Sequence, residues 1–184
     1  MLYGGARPFA VSTPHNNDNY SGGEMHTAQR KSQTHGILIV EDDFRIAEIH
    51  RAFIEQSEGF AVVAMARNGA EARELMIRHG HAVHLVLLDA YLPDVNGLEL
   101  LWSLRHEHQH VDIVMVTAAR EVDTISEALR GGIFDYLIKP VEAMRMQQML
   151  DRFRRKREAL AARSELSQDR KSTRLNSSHT QKSR

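Results

Sequence analysis

The chain lacks cysteine entirely across its 184 residues. Disulfide bonds and thiolate metal sites are therefore excluded, which fits the reducing conditions of a cytoplasm. No apolar run approaches the roughly 20 residues that a membrane helix needs. Residues 1–20 also lack the apolar segment of a secretory signal. We expect a soluble, cytoplasmic protein of one domain with extensions, and no contact with a membrane.

Net charge is also missing, since the formal charge of the whole chain is zero. This balance conceals a strong asymmetry, because residues 37–150 carry a net charge of −8 and residues 151–184 carry +7. The charge pattern indicates an acidic domain followed by a basic tail.

Residues 1–35 are rich in Gly, Ser, Asn, Thr and His and show no apolar periodicity. Such a segment cannot bury enough surface to offset the entropy of ordering it, so we predict a disordered amino-terminal extension. A true start at Met25 would explain this prefix equally well.

From Ile37 onward, short apolar runs alternate with amphipathic segments, a pattern typical of βα units around a parallel sheet. The five predicted strands are Ile37–Val40, Phe60–Ala66, a run from Val83 that ends at Asp89, Ile113–Val116 and Phe134–Ile138. The first helix should stop at Gly59, Asn68 should cap the second helix, and the fifth helix should start after Pro140.

Polar side chains follow four of these strands where each strand ends. They are Glu41, Asp42 and Asp43 after the first strand, Asp89, Thr117 and Lys139. Ligands bind at the carboxyl edge of open α/β sheets. Carboxylates with one lysine suit a hard divalent cation and a phosphoryl group. Asp43 is better interpreted as an acid in the first turn of the first helix.

Several motifs agree with one known family in order and spacing. They are Glu41-Asp42 after the first strand, Asp89 with Pro93 and Gly97 four and eight residues later, Thr117-Ala118, and Asp135-Tyr136-Leu137-Ile138-Lys139-Pro140. Over about residues 36–155 the chain resembles the receiver domain of two-component response regulators. The resemblance implies a flavodoxin-like, doubly wound, five-stranded parallel sheet of order 2-1-3-4-5 with five helices.

The same resemblance implies the roles of the site residues. Asp89 would be the phosphoacceptor, with Lys139 and Thr117 binding the phosphoryl group, and Thr117 and Tyr136 would form the switch. Mg²⁺ would be held by Asp42, Asp89, the backbone carbonyl of Tyr91 and, through a water, Glu41. The Lys139-Pro140 bond would be cis. The chain would catalyse its own phosphotransfer and slow dephosphorylation without being an enzyme for another substrate.

Finer features resemble regulators of citrate and C4-dicarboxylate sensing systems, among them Asn96-Gly97-Leu98 and Glu165-Leu166-Ser167-Gln168. This implies a sensor histidine kinase as partner, a phosphorylation-dependent homodimer, and transcription regulation through a DNA-binding helix-turn-helix domain. Residues 156–168 would be a helix end and a linker toward that domain, which is missing here. Residues 169–184 resemble a translated sequencing adapter, or are a disordered tail. The basic run at residues 152–157 could contact DNA phosphates, but a solvated helix end is favoured.

Three alternative functions fit the sequence less well. A phosphatase of the haloacid dehalogenase type would use an aspartyl nucleophile with Mg²⁺ but wants a second carboxylate two residues later, where Tyr91 stands. A nucleotide-binding Rossmann domain needs a glycine-rich loop after the first strand, where Glu41-Asp42-Asp43 stands. A receiver used only as a phosphorylation-independent binding module commonly lacks an acidic residue or the lysine, and this chain has both.

Overall fold

The computed structural model describes residues 34–118 and 122–177. The predicted disordered extension lies outside the described residues except at its carboxyl end. There, His35 begins the first strand and is buried, so the ordered domain starts before the predicted strand at Ile37.

Five strands and five helices alternate along the described residues. The strands are β1 His35–Val40, β2 Phe60–Ala66, β3 Val83–Asp89, β4 Asp112–Ala118 and β5 Asp135–Lys139. The helices are α1 Phe44–Glu55, α2 Gly69–His79, α3 Gly97–Glu107, α4 Val122–Arg130 and α5 Ala143–Ser177, with one 3₁₀ turn at Gly80–Ala82. Helix α1 ends four residues before the predicted stop at Gly59. That glycine, with φ of 83°, instead lies in the turn that leads into β2.

The sheet confirms the predicted topology. Its order is β2-β1-β3-β4-β5 and every pairing between neighbouring strands is parallel. Two apolar clusters lie on its two faces: α1 and α5 pack on one, and α2, α3 and α4 pack on the other. Because all five strands point the same way, their carboxyl ends meet at one edge.

Side-chain caps fix where the helices begin at that edge. Asp43 accepts a hydrogen bond from Arg45 N at 2.8 Å, and Asn68 accepts one from Glu71 N at 2.8 Å, as predicted for α2. Asp43 is thus the N-cap of α1 rather than an acid within its first turn. Such caps each stabilise a helix by about 1 kcal/mol.

Helix α5 is longer than the sequence analysis predicted. It runs through residues 156–168, assigned to a helix end and a linker, and through residues 169–177, assigned to an adapter-derived or disordered tail. Residues 143–177 contain neither glycine nor proline, so nothing in the local sequence stops the helix. The basic run is therefore inside the helix and cannot complete its terminal dipole.

Much of the basic run is anchored to the sheet. Lys156 Nζ pairs with Asp112 Oδ1 at 2.6 Å, Arg152 pairs with Asp135, and the Arg154 guanidinium lies 5.4 Å from the centre of the Phe60 ring. These side chains hold α5 against β2, β4 and β5. They are accounted for by contacts within the fold.

Two further observations concern the backbone and the membrane. The Lys139-Pro140 peptide bond is cis, as predicted. In the part of the chain that the structure describes, every helix is too short or too polar to cross a bilayer.

Candidate functional site

Asp89 lies at the carboxyl end of β3, between β1 and β4. The carboxylate is 4% exposed although it is at the sheet edge. Tyr91 N donates a hydrogen bond to Asp89 Oδ1 at 2.9 Å, and Lys139 Nζ donates to Asp89 Oδ2 at 2.5 Å. Both oxygens therefore have defined directions, as an in-line nucleophile requires.

Two more carboxylates follow β1 beside Asp89. Glu41 is buried, and its Oε1 accepts a hydrogen bond from Asp43 N at 3.3 Å, whereas Asp42 is exposed. Glu41, Asp42 and Asp89 each offer one oxygen, and these three oxygens lie within 4.8 Å of one another. The predicted acidic residues thus converge on one point.

This donor set fits a hard divalent cation. All three candidate atoms are carboxylate oxygens. With Glu41 acting through a water, Asp42 and Asp89 would be the one or two direct carboxylate ligands that Mg²⁺ takes together with waters. Asp42, the exposed member, gives an ion access from solvent. Tyr91, whose carbonyl the sequence analysis assigned to the same ion, is held beside Asp89 through its amide.

Lys139 reaches the acidic group from β5, two strands away from β3. Its Nζ lies 2.8 Å from Glu41 Oε2 and 2.5 Å from Asp89 Oδ2, so one ammonium joins the ends of β1, β3 and β5. The contact with Glu41 Oε2 is an ion pair without a well-directed hydrogen bond. Such a cation can partly neutralise the three carboxylates and any phosphoryl group on Asp89.

Burial and charge shift the acid–base behaviour of this group. Burial, reinforced by the nearby Asp89 carboxylate, raises the pKa of Glu41 to about 7 even though Lys139 opposes the rise. Burial alone would lower the pKa of Lys139, but its hydrogen bond to Asp89 and its ion pair with Glu41 outweigh burial and raise it. Lys139 therefore stays charged near neutral pH.

His50 is buried on α1. Burial, and next the positive charge of Lys139, lower the pKa of its imidazole to about 4. His50 is neutral near pH 7, and so adds no second cation to the site.

The two predicted switch residues lie on β4 and β5. Thr117 is buried, one residue beyond Val116, which is opposite Asp89 in the strand pairing. Tyr136 is half-buried and packs against the apolar cluster of α2, α3 and α4, while Arg145 Nη2 donates to its carbonyl oxygen at 2.8 Å. The structure thus places Thr117 near the carboxyl edge, whereas Tyr136 is the second residue of β5, opposite Met115. The switch roles of both residues remain predictions.

Two contacts, one at the start of β5 and one in the loop after Asp89, were missed by the sequence analysis. Arg145 joins the buried Asp135 to the backbone of Tyr136, and Asp94 binds the start of α2. The sequence offers one weak signal, since Asp94 follows Pro93 in a turn-forming segment. Neither partner can be identified from local spacing.

The different positions of Asp42 and Asp43 lead to a first prediction. We expect Asp42→Asn to weaken Mg²⁺ binding by about tenfold or more, since a carboxylate ligand loses its charge. Asp43→Asn should change it little, because asparagine caps helices as well as aspartate does. Isothermal titration of both variants with Mg²⁺ measures the difference. Equal losses of affinity would show that Asp43 belongs to the ion site.

Known proteins resemble this chain in both sequence and structure. Residues 37–151 match the response regulator receiver domain family. The transcriptional regulatory protein CitT of Halalkalibacterium halodurans is 49% identical over 133 residues, which cover 72% of this chain and 58% of that protein. The transcriptional regulatory protein DpiA of Escherichia coli K12 is 44% identical over 124 residues, which cover 67% of this chain and 54% of that protein.

A third relative, the probable C4-dicarboxylate response regulator DctR of Priestia megaterium, is 39% identical over 64% of this chain and 51% of its own length. The chain spans little more than half the length of these relatives. Among solved structures, the receiver domain of the response regulator AraT from Geobacillus stearothermophilus superimposes with a TM-score of 0.65 and 30% identity. The alignment covers 70% of this chain and 99% of that domain.

Proposed function

This chain belongs to the response regulator receiver domain family, and from that membership we propose that Asp89 accepts a phosphoryl group from a sensor histidine kinase. The observation that carries the proposal is the pairing of a buried Asp89 carboxylate with the Lys139 ammonium at 2.5 Å, beside two further carboxylates. An isolated aspartate after a strand is more often a turn former. The convergence of these four side chains is what a phosphoacceptor requires.

The transfer forms one bond and breaks another. An oxygen of Asp89 attacks the phosphorus of a phosphohistidine on the kinase, the P–N bond breaks, and the imidazole leaves with its electron pair. The product on this chain is an acyl phosphate. Lys139 pairs with the Asp89 carboxylate before the reaction and offsets the added negative charge after it.

Glu41, Asp42, Asp89 and the Tyr91 carbonyl are the groups that would hold Mg²⁺. When bound, this ion supplies charge neutralisation for the phosphoryl oxygens. Thr117 would donate a hydrogen bond to one of those oxygens. The chain thus assists its own phosphotransfer without acting on a further substrate.

Signal output would follow from Thr117 and Tyr136. As Thr117 turns toward the phosphoryl group, it vacates space that the half-buried Tyr136 ring can fill. A local change of charge would then bias a two-state element on the α4–β5 surface. This surface is where we place the phosphorylation-dependent homodimer contact.

The intact protein would be a transcription regulator. The named relatives are transcriptional or C4-dicarboxylate regulators. We therefore propose a regulator in a citrate or C4-dicarboxylate response that acts in the cytoplasm. It would bind DNA through a domain that follows residue 168 in the parent protein. The receiver would control that domain through α5.

A direct test uses the whole chain and acetyl phosphate. Intact-mass spectrometry should show one added phosphoryl group in the presence of Mg²⁺ and none after the ion is removed with EDTA. Phosphorylation of equal extent without the ion would contradict the assigned role of the carboxylates.

Tyr91 provides a prediction about the lifetime of the phosphoryl group. Its side chain is 54% exposed two residues after Asp89, and we propose that it borders the approach of an attacking water. It has no carboxylate or amide that could orient that water. We expect Tyr91→Asn to release phosphate several-fold faster than the wild type. Phosphate release from the purified phosphoprotein measures this, and equal rates would show that Tyr91 does not limit hydrolysis.

A further inference from the structure

The loop at residues 90–96, called here the acceptor loop, joins Asp89 to the start of α3. Its two ends are closed on each other: Tyr91 pairs with Asn96 as an antiparallel bridge, and Gly97 N donates to Ala90 O at 3.0 Å. Tyr91 N also donates to Asp89 Oδ1. The position of the loop therefore sets the direction of one Asp89 oxygen.

The middle of the acceptor loop is attached to a different element. Asp94 Oδ1 accepts a hydrogen bond from Gly69 N at 2.8 Å, and Asp94 Oδ2 accepts one from Ala70 N at 3.0 Å. These are amides in the first turn of α2, where the helix lacks internal partners and favours a negative charge. The bonds hold the pKa of Asp94 below its usual value. One carboxylate thus joins the loop to α2 across about 25 residues of sequence.

Steric fit supports the same contact. A Cβ atom on Gly69 would lie 2.3 Å from Val95 Cγ1, so the absence of a side chain lets the loop approach the helix. Leu92 and Val95 also pack against the apolar cluster on the α2 side of the sheet. The loop is therefore seated on α2 by two charge-assisted hydrogen bonds and an apolar contact.

We propose that Asp94 is a positioning residue for the phosphoryl-transfer site. By fixing the acceptor loop on α2, it keeps the Tyr91 amide on Asp89 and the Tyr91 carbonyl at the acidic group. This inference rests on the proposed function, since it assigns to Asp94 a role in ion binding at Asp89. Asp94 touches neither the ion nor the phosphoryl group.

The experiment compares Asp94→Ala with Asn68→Ala in the whole chain. Both changes remove hydrogen bonds from the first turn of α2, but the Asn68 side chain accepts from Glu71 N within α2, whereas Asp94 joins α2 to the loop. The two variants should therefore lose similar helix stability. Only Asp94→Ala should release the acceptor loop.

Two measurements separate positioning from capping. By NMR, hydrogen exchange at the Tyr91 amide should be about fivefold faster or more in Asp94→Ala and unchanged in Asn68→Ala. By calorimetry, the Mg²⁺ dissociation constant of Asp94→Ala should rise about fivefold, while that of Asn68→Ala stays near the wild-type value. Asp94→Asn keeps one acceptor oxygen. Its Tyr91 exchange rate and its Mg²⁺ dissociation constant should therefore lie between those of Asp94→Ala and the wild type.

Equal changes in Asp94→Ala and Asn68→Ala would overturn the inference, because the effect would then come from the stability of α2. An unchanged Tyr91 exchange rate in Asp94→Ala would overturn it as well. Failure of the proposed function looks different: the wild type itself would then take up neither Mg²⁺ nor a phosphoryl group. The exchange rate at Tyr91 would still decide whether Asp94 holds the loop.

Discussion

Replacing Asp89 with asparagine is expected to abolish phosphorylation of this chain by acetyl phosphate. Asparagine retains the size of the side chain and can still accept from Tyr91 N, but its amide is not a nucleophile for phosphorus. It also removes one of the three carboxylates that converge at the site. Intact-mass spectrometry with Mg²⁺ should show a phosphoadduct on the wild type and none on Asp89→Asn.

Asp112→Asn is a suitable control for this experiment. Asp112 begins β4, and so lies at the opposite edge of the same sheet, where it pairs with Lys156. Its replacement should leave phosphorylation near the wild-type level. A phosphoadduct that persists on Asp89→Asn would rule out Asp89 as the acceptor and show that another side chain is phosphorylated.

The second large effect concerns the attachment of α5. Phe153 is fully buried and its ring lies 5.5 Å from that of His35, 6.3 Å from Phe60 and 5.7 Å from Phe134. We expect Phe153→Ala to lower the free energy of unfolding by about 3–5 kcal/mol, through lost apolar burial and the cavity left behind. Urea denaturation followed by circular dichroism measures this change.

Leu160 provides a matched control seven residues further along the same helix. It is 45% exposed, so Leu160→Ala should change the free energy of unfolding by only about 0.5 kcal/mol. A large loss of unfolding free energy in Leu160→Ala would mean that the distal part of α5 packs against another part of the protein. A small loss in Phe153→Ala would mean that α5 is not required for the stability of the sheet.

Most of the sheet could be predicted from sequence because buried parallel strands are nearly continuous apolar runs. β2 and the end of β3 at Asp89 lie where predicted, and the same pattern located Lys139 and Thr117 at strand ends. The start of β1 was missed because His35 and Gly36 do not resemble strand residues. Contacts of His35 with the rings of Phe60 and Phe153 override that local preference.

The extent of α5 was missed for a different reason. Residues 156–177 contain no glycine or proline, but the resemblance to multidomain regulators led to the prediction of a linker, and the resemblance to a sequencing adapter led to the prediction of a tail. In the site, side-chain chemistry located the carboxylates and the lysine. The contact of Asp94 with Gly69 could not be predicted, because it depends on how closely a loop and a distant helix approach one another in space.

The pairing of α1 with α5 on one face of the sheet has a consequence for synthesis on the ribosome. The opposite face is covered by α2, α3 and α4, which come from the middle of the chain and can pack soon after β4 forms. The α1 face also needs Met146, Met149, Leu150 and Phe153, which emerge after all five strands and the other four helices. A nascent chain that has not yet released Phe153 therefore presents Ile37, Ile39 and Leu85 without their final cover. During that interval these exposed apolar strands can associate incorrectly with other chains. A chaperone that binds apolar strands would bind the nascent chain at this stage.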